Sequence, residues 1–318
     1  MRLGGLILSS ALFSAKVFWP YVAGAVVLLI GLAVIPGNKW LRSRGMQKAL
    51  ALGPLFIAVP IGMFGTDHFV DATNVSRMVP AWMPAHFFWT YFVGVALMAA
   101  AVSFAANRYV KLSATLLGIM FFLFVVLMHI PFFATHPTNR FAFAIMLRDS
   151  FFGAGAIALS CAHRENLPAG SSHKLVAISR VVIGTVALVY GVEHFLYPHF
   201  VPVLPLPQPL PSWIPMHLVL SYVTGSVLVI CGVGLLVNRK THLAATVLGI
   251  AVFGVVIIIY LPLLIARPLD FSAMNYFFDT LLFSGSALAL AGALPAEEGA
   301  PLGAAARTPA GKSSQMEV

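Results

Sequence analysis

An ordered set of residues occurs twice in this chain, which restricts the fold to one built from two related halves. Asp67-His68-Phe69 precedes Pro80-Ala81-Trp82-Met83-Pro84-Ala85-His86, with Tyr91 and Gly94 behind it. Glu193-His194-Phe195 precedes Pro211-Ser212-Trp213-Ile214-Pro215-Met216-His217, with Tyr222 and Gly225 behind it. The register holds further on. Trp82 and Trp213, His86 and His217, Asn107-Arg108 and Asn238-Arg239, and Gly118 and Gly249 share one offset. The pattern reads as a tandem duplication.

Long apolar runs separate these landmarks. Apolar residues make up 60% of the chain and charged residues 9%, against roughly half and a quarter in a globular domain. A surface in water cannot be covered from that stock. Several runs reach the roughly 20 residues a helix needs to cross hydrocarbon, and continuous apolar runs disfavour a β-barrel, whose strands would alternate. The expectation is an all-α polytopic membrane protein of about nine transmembrane helices, over 17–35, 49–65, 86–104, 112–133, 141–161, 175–197, 214–237, 242–265 and 273–293. Residues 1–48 supply an amino-terminal helix and a basic loop, 49–165 and 166–294 two tandem four-helix repeats, and 295–318 a disordered tail. Residues 198–211 are too rich in proline for a helix and form the chief insertion of the second repeat.

Four spans per repeat give both halves the same orientation, so the repeats are parallel, related by an axis along the membrane normal. Lys39, Arg42, Arg44, Lys48, Arg108, Lys111, Arg164, Lys174, Arg239 and Lys240 then collect on one face. The positive-inside bias makes that face cytoplasmic. The amino terminus lies outside, its first helix retained because Phe13 stands where signal cleavage wants a small residue, and the carboxyl terminus lies inside. The net charge of +9 is explained by these loops, not by nucleic acid. Cys161 and Cys231 stand alone, without metal or dithiol spacing.

The polar residues of the outer boundary are the candidate site. Asp67, His68, His86, His129 and Asp149 form the first set, and Glu193, His194, His217, Tyr260 and Asp279 the second. Acids and imidazoles at the edge of a low-dielectric layer share protons, bind a cation or hydrogen-bond a quinone carbonyl. They also close helix ends and pair across bundles, and both readings stay open. A metal site is less favoured, since no H-x-x-x-H or E-x-x-H spacing occurs. Trp82 and Trp213, each in a P-x-W-x-P frame, are interfacial anchors or lids over a flat ligand. Arg180 reads as the one basic residue well inside a span and is expected to snorkel to the inner boundary.

The second half, with Arg180-x-x-x-Gly184, Gly191, His194-Phe195, Gly225, Arg239 and Asp279-x-x-Leu282-x-x-Gly285-x-x-Leu288, resembles the DoxX-like family of four-helix bacterial membrane proteins. The first half keeps Gly65, His68-Phe69, Gly94, Arg108, Asp149, Phe152 and Gly155, with Pro54 and Ala58 in place of Arg180 and Gly184. The resemblance spans 49–293. It implies the bacterial cytoplasmic membrane, a membrane redox partner protein beside the lipid bilayer, and an accessory or quinone-associated role with quinone as ligand. Family members commonly carry lysine and leucine where His194 and Phe195 stand. No self-sufficient catalytic motif is present. A small-molecule or ion permease and a ligand-free scaffold are the alternatives, the permease disfavoured by apolar helix centres.

Overall fold

The computed structural model describes residues 15–34, 46–163, 169–206, 210 and 212–295. The expectations for residues 1–14, for Lys39, Arg42, Arg44 and Arg164, and for the tail beyond 295 fall outside the described residues. Those residues are helical without β-strands, and nine helices among them are long and apolar enough to cross a membrane. They are α1 (Ala15–Val34), α2 (Met46–Val70), α3 (His86–Ala105), α4 (Val110–Thr135), α5 (Arg140–Ala162), α6 (Ala169–Leu196), α7 (His217–Leu236), α8 (Thr241–Ala266) and α9 (Phe271–Ala293).

The bounds of α3, α4 and α5 and those of α7, α8 and α9 differ by 131 positions at both ends. Local chemistry explains the match. Asn139 caps α5 by accepting from the Ala142 N–H, and Asp270 caps α9 by accepting from Ser272 and Ala273, satisfying donors that a helix leaves free at its start. Ala85 and Met216 hold left-handed φ of 57° and 54° after their prolines, just before α3 and α7. Pro131 and Pro262 have no N–H for Leu127 and Ile258, and each ring crowds that carbonyl. Both α4 and α8 absorb the defect as a π-turn, over Val125–His129 and Val256–Tyr260. Helix seven, expected from residue 214, starts at His217, and Ile214 is buried in the preceding loop instead.

The repeated motif is first of all a helix–helix joint. A Cβ on Gly94 would lie 2.9 Å from the His68 Cβ, and one on Gly225 2.8 Å from that of His194. Phe69 stacks on Tyr91 and Phe195 on Tyr222, each at 5.8 Å. Histidine, phenylalanine, tyrosine and glycine therefore seat α2 on α3 and α6 on α7. These joints come 126 positions apart on α2 and α6, with Glu193, His194 and Phe195 answering Asp67, His68 and Phe69. Five more residues are thus accommodated in the loop before α7.

Helices α5 and α9 pack on each other at the centre and carry the highest buried shares of all the spans. The expected units 49–165 and 166–294 do not pack as separate bundles, because α2 lies on α9 and α6 lies on α5. Each half lends its first helix to the other, and α1 stands outside on α2 and α3. Small residues permit the central approach: a Cβ on Gly285 would reach the Phe56 carbonyl carbon at 2.7 Å, and one on Gly155 the Ser286 Cβ at 2.2 Å.

Gly191 has the backbone of α7 against it, with the Val229 nitrogen 2.8 Å from where a Cβ would lie. Backbone cannot yield as a side-chain tip does, so Gly191→Ala is expected to cost about 1–3 kcal/mol. Gly254→Ala, with nothing within 4 Å, is expected to be neutral or slightly stabilising. Thermal unfolding in detergent checks both, and equal midpoints would refute the joint.

Candidate functional site

The polar cluster at the heart of the protein forms where α4, α5 and α9 meet. Arg148, on α5, donates from Nε to Asp149 Oδ1 at 2.9 Å and from Nη1 to Asp279 Oδ2 at 3.2 Å. The π-turn of α4 brings in His129, whose Nε2 lies 2.7 Å from Asp149 Oδ2. That nitrogen must donate to an ionised carboxylate, so this tautomer leaves Nδ1 as an acceptor. Nδ1 makes no hydrogen bond to the described residues, and the His129 side chain is 19% exposed. Asp149 and Asp279 are buried. Two acids thus share one guanidinium, and neutrality asks for one more positive charge, as a proton or from a ligand.

Arg148 is the functional residue that sequence reasoning missed. Arg180 is not the only basic residue well inside a span, and the visible signal was an adjacent Arg-Asp pair within an otherwise apolar helix. Arg180 does not snorkel free either. It donates to the Leu235 and Leu236 carbonyls at the end of α7, where a cation meets the helix's free acceptors.

The other candidates go to separate partners. Glu193 Oε1 accepts from Arg140 Nη2 at 2.9 Å, and Arg140 lies 3.4 Å above the Tyr197 ring. The second Glu193 oxygen and Arg140 Nε are buried without a hydrogen-bond partner among the described residues. His194 is satisfied at both nitrogens, donating from Nδ1 to the Tyr190 carbonyl and accepting the Val203 N–H at 2.9 Å on Nε2. Tyr260 donates to the Pro202 carbonyl. Both hold the proline-rich loop, whose Val201, Val203, Leu204 and Leu206 are buried in the core. The expected outer pocket of the second half is therefore plugged by its own insertion, and Glu193, His194, His217 and Asp279 bond to no member of their own set.

In the first half, His68 donates from Nδ1 to the Phe64 carbonyl at 2.7 Å, and Asp67 is buried with its Oδ1 unpartnered. The position 131 residues after Arg140, which would mirror the arginine beside Glu193, is Phe271. His86 and His217 open α3 and α7 with rings making no hydrogen bond to the described residues, and His217 lies 6.3 Å from the His199 ring. Trp82 is 67% and Trp213 51% exposed. Among the described residues no three His, Cys, Asp or Glu side chains gather as a metal site.

The structure also shifts the pairing of the two acids by one residue. With α5 and α9 offset by 131, His129 answers to Tyr260, Asp149 to Thr280, and Arg148 to Asp279. Tyr260 and Thr280 are hydrogen-bonded, a neutral version of the His129–Asp149 pair. Ile157 against Gly118 and Leu288 against Gly249 keep the same offset.

Removing one partner from a buried ion pair costs about 3–5 kcal/mol. Arg148→Met strands two carboxylates and is expected to exceed that range, whereas Asp279→Asn strands none and should cost less. Chemical or thermal denaturation of both variants tests this, and equal losses would contradict a shared guanidinium. Just past the carboxyl end of α2, outside the span, Asp71 resists the rise that desolvation would bring. Hydrogen bonds from Lys16 and Asn74 hold its carboxyl below the usual value of 3.8. A lowered folded value contributes stability above the unfolded one and loses it as pH falls through the folded one. Asp71→Asn is therefore expected to flatten the stability profile below about pH 4 and leave neutral pH less stable, read by midpoints across pH.

A domain of unknown function, DUF8561, matches residues 57–136, which covers the second half of α2 and all of α3 and α4. No curated protein and no solved structure matches the chain.

Proposed function

We propose that the chain is a multi-pass membrane protein built from two tandem parallel repeats, an accessory subunit of DoxX-like type in a membrane redox system of the bacterial cytoplasmic membrane. In this reading the basic loops lie inside, and the His129 cluster meets a small hydrogen-bonding ligand at the outer boundary. A quinone headgroup has suitable chemistry, since its carbonyl oxygens accept hydrogen bonds and its reduced form offers hydroxyl donors.

One observation carries the reading: His129 Nδ1 makes no hydrogen bond to the described residues, in a cluster with two acids to one guanidinium. The residues fit such a ligand in a definite way. Asp149 orients the imidazole and fixes its tautomer, Arg148 holds Asp149, and Asp279 holds Arg148 from the other central helix. His129 accepts a ligand hydroxyl proton at Nδ1, or donates from it when doubly protonated. A bound quinone would supply the redox chemistry.

The permease alternative needs a polar route through the spans. Towards the other boundary the described polar contacts are isolated pairs, such as Thr115 with Ser160 and Ser284 with the Gly249 carbonyl, which supports the accessory reading. The scaffold alternative has the Arg148–Asp279 bridge in its favour.

His129→Gln separates binding from scaffolding, because glutamine can still hydrogen-bond Asp149. Purified protein titrated with a short-chain quinone is expected to bind roughly tenfold or more weakly in this variant, the worth of one charge-assisted hydrogen bond, with little change in thermal midpoint. Unchanged affinity, or no quinone binding by the unaltered chain, would hand the cluster to the scaffold reading.

A further inference from the structure

A second site lies on the opposite flank, where α1 leans over α2. A cleft of about 470 Å³ runs between α1, α2, α8 and α9. Its walls include Leu28, Leu55, Phe56, Phe253, Phe278 and Leu281, and Tyr21 is its one polar lining residue. The volume falls within the roughly 300–1,000 Å³ of small-molecule sites and is about three times the roughly 150 Å³ at which a dry cavity captures benzene. An apolar lining refuses water, and every lining residue sits within a membrane-length helix.

The asymmetry of the halves shows how the cleft arises. Leu52, Leu55 and Val59 on α2 answer to Ile178, Val181 and Thr185 on α6 by the 126-residue offset. Leu55 is 4% exposed and Val181 44%, because none of the described helices covers α6 as α1 covers α2. Helix α1 seats on α2 through Gly31, where a Cβ would collide with Leu55. Its Ala25, Leu28 and Leu32 remain exposed along the cleft. One helix has turned an open flank into a groove.

We propose that this cleft binds one acyl chain of a phospholipid from the leaflet on the Lys16 side. At that depth hydrocarbon is the solvent, so the occupant is a chain held by close packing. The mouth selects the headgroup. Tyr21 donates to the Pro268 carbonyl at 2.9 Å, beside Arg267. Lys16 pairs with Asp71 at 2.6 Å and Arg267 more loosely with Asp270 at 3.9 Å, and with side chains 51% and 59% exposed each keeps donors open at the rim for a phosphate. An uncharged quinone head has no such need. The inference rests on the membrane part of the proposed function and is independent of chemistry at His129.

The full chain is purified from membranes in mild detergent, washed, and its bound phospholipid counted by native mass spectrometry. It is then delipidated and titrated with phosphatidylglycerol. The unaltered protein is expected to retain a phospholipid, and Ala25→Trp and Leu28→Trp, which fill the cleft from its open wall, to retain roughly tenfold less. Ile178→Trp, on the open α6 flank, is expected to retain as much as the unaltered chain, with thermal midpoints confirming that each variant is folded. Equal retention by both folded cleft variants, or a phosphate-free prenyl lipid as the retained molecule, overturns the proposal. Carbonate extraction separates the two readings: a chain released from membranes defeats the membrane reading, whereas a chain that stays embedded without phospholipid defeats the cleft alone.

Discussion

Arg148 is the constraint on which the rest depends. It sits between two buried carboxylates on the two central helices, and none of the three can be left alone in an apolar interior without a large penalty. The bridge to Asp279 fixes α5 against α9, and the bond to Asp149 fixes the partner that orients His129. Packing supplies closeness, through Gly155 against Ser286, but apolar contacts between helices have little directionality. The charges supply register. A slip by one residue on either helix would carry the arginine away from an acid.

The two halves spend their shared motif differently. In the second, the longer loop enters the core, and His194 and Tyr260 are consumed in holding it. In the first, residues 72–85 form a short helical turn and a surface strap, and His129, in the position of Tyr260, keeps one nitrogen free. The same division appears outside the core, where α1 covers α2 and none of the described helices covers α6 in the same way.

Much of this was legible in the sequence. Apolar runs gave nine helices, and recurrence of Trp82, His86 and Gly118 at 131 residues gave the register. Helix starts were off by one or two residues where capping by Asn139 and Asp270 sets them, because hydropathy does not see hydrogen bonds. The site was half legible. His129, Asp149 and Asp279 were marked by polarity in an apolar setting, but their meeting through Arg148 depends on the crosswise seating of α2 on α9 and α6 on α5, which no local pattern encodes. His68 and His194 look like chemistry in the sequence and serve chiefly as joints, since a histidine that donates to its own helix and packs on glycine leaves the same trace as a ligand-binding one.

The crosswise seating also explains why two different halves are needed. Positions 148 and 279 correspond under the 131-residue offset and yet touch each other, as residues on a two-fold axis do. In a dimer of identical chains, corresponding positions on such an axis carry the same residue, so arginine would face arginine or aspartate would face aspartate, a like-charge pair in low dielectric. Joining the halves in one chain removes that restriction. Position 148 can be basic and position 279 acidic, and the ion pair that locks α5 to α9 becomes available. The same freedom lets one half keep His129 and Asp149 while the other keeps Tyr260 and Thr280. A single charged dyad then stands beside the bridge, where two symmetric dyads would have brought a second imidazole and a further carboxylate to the same buried arginine.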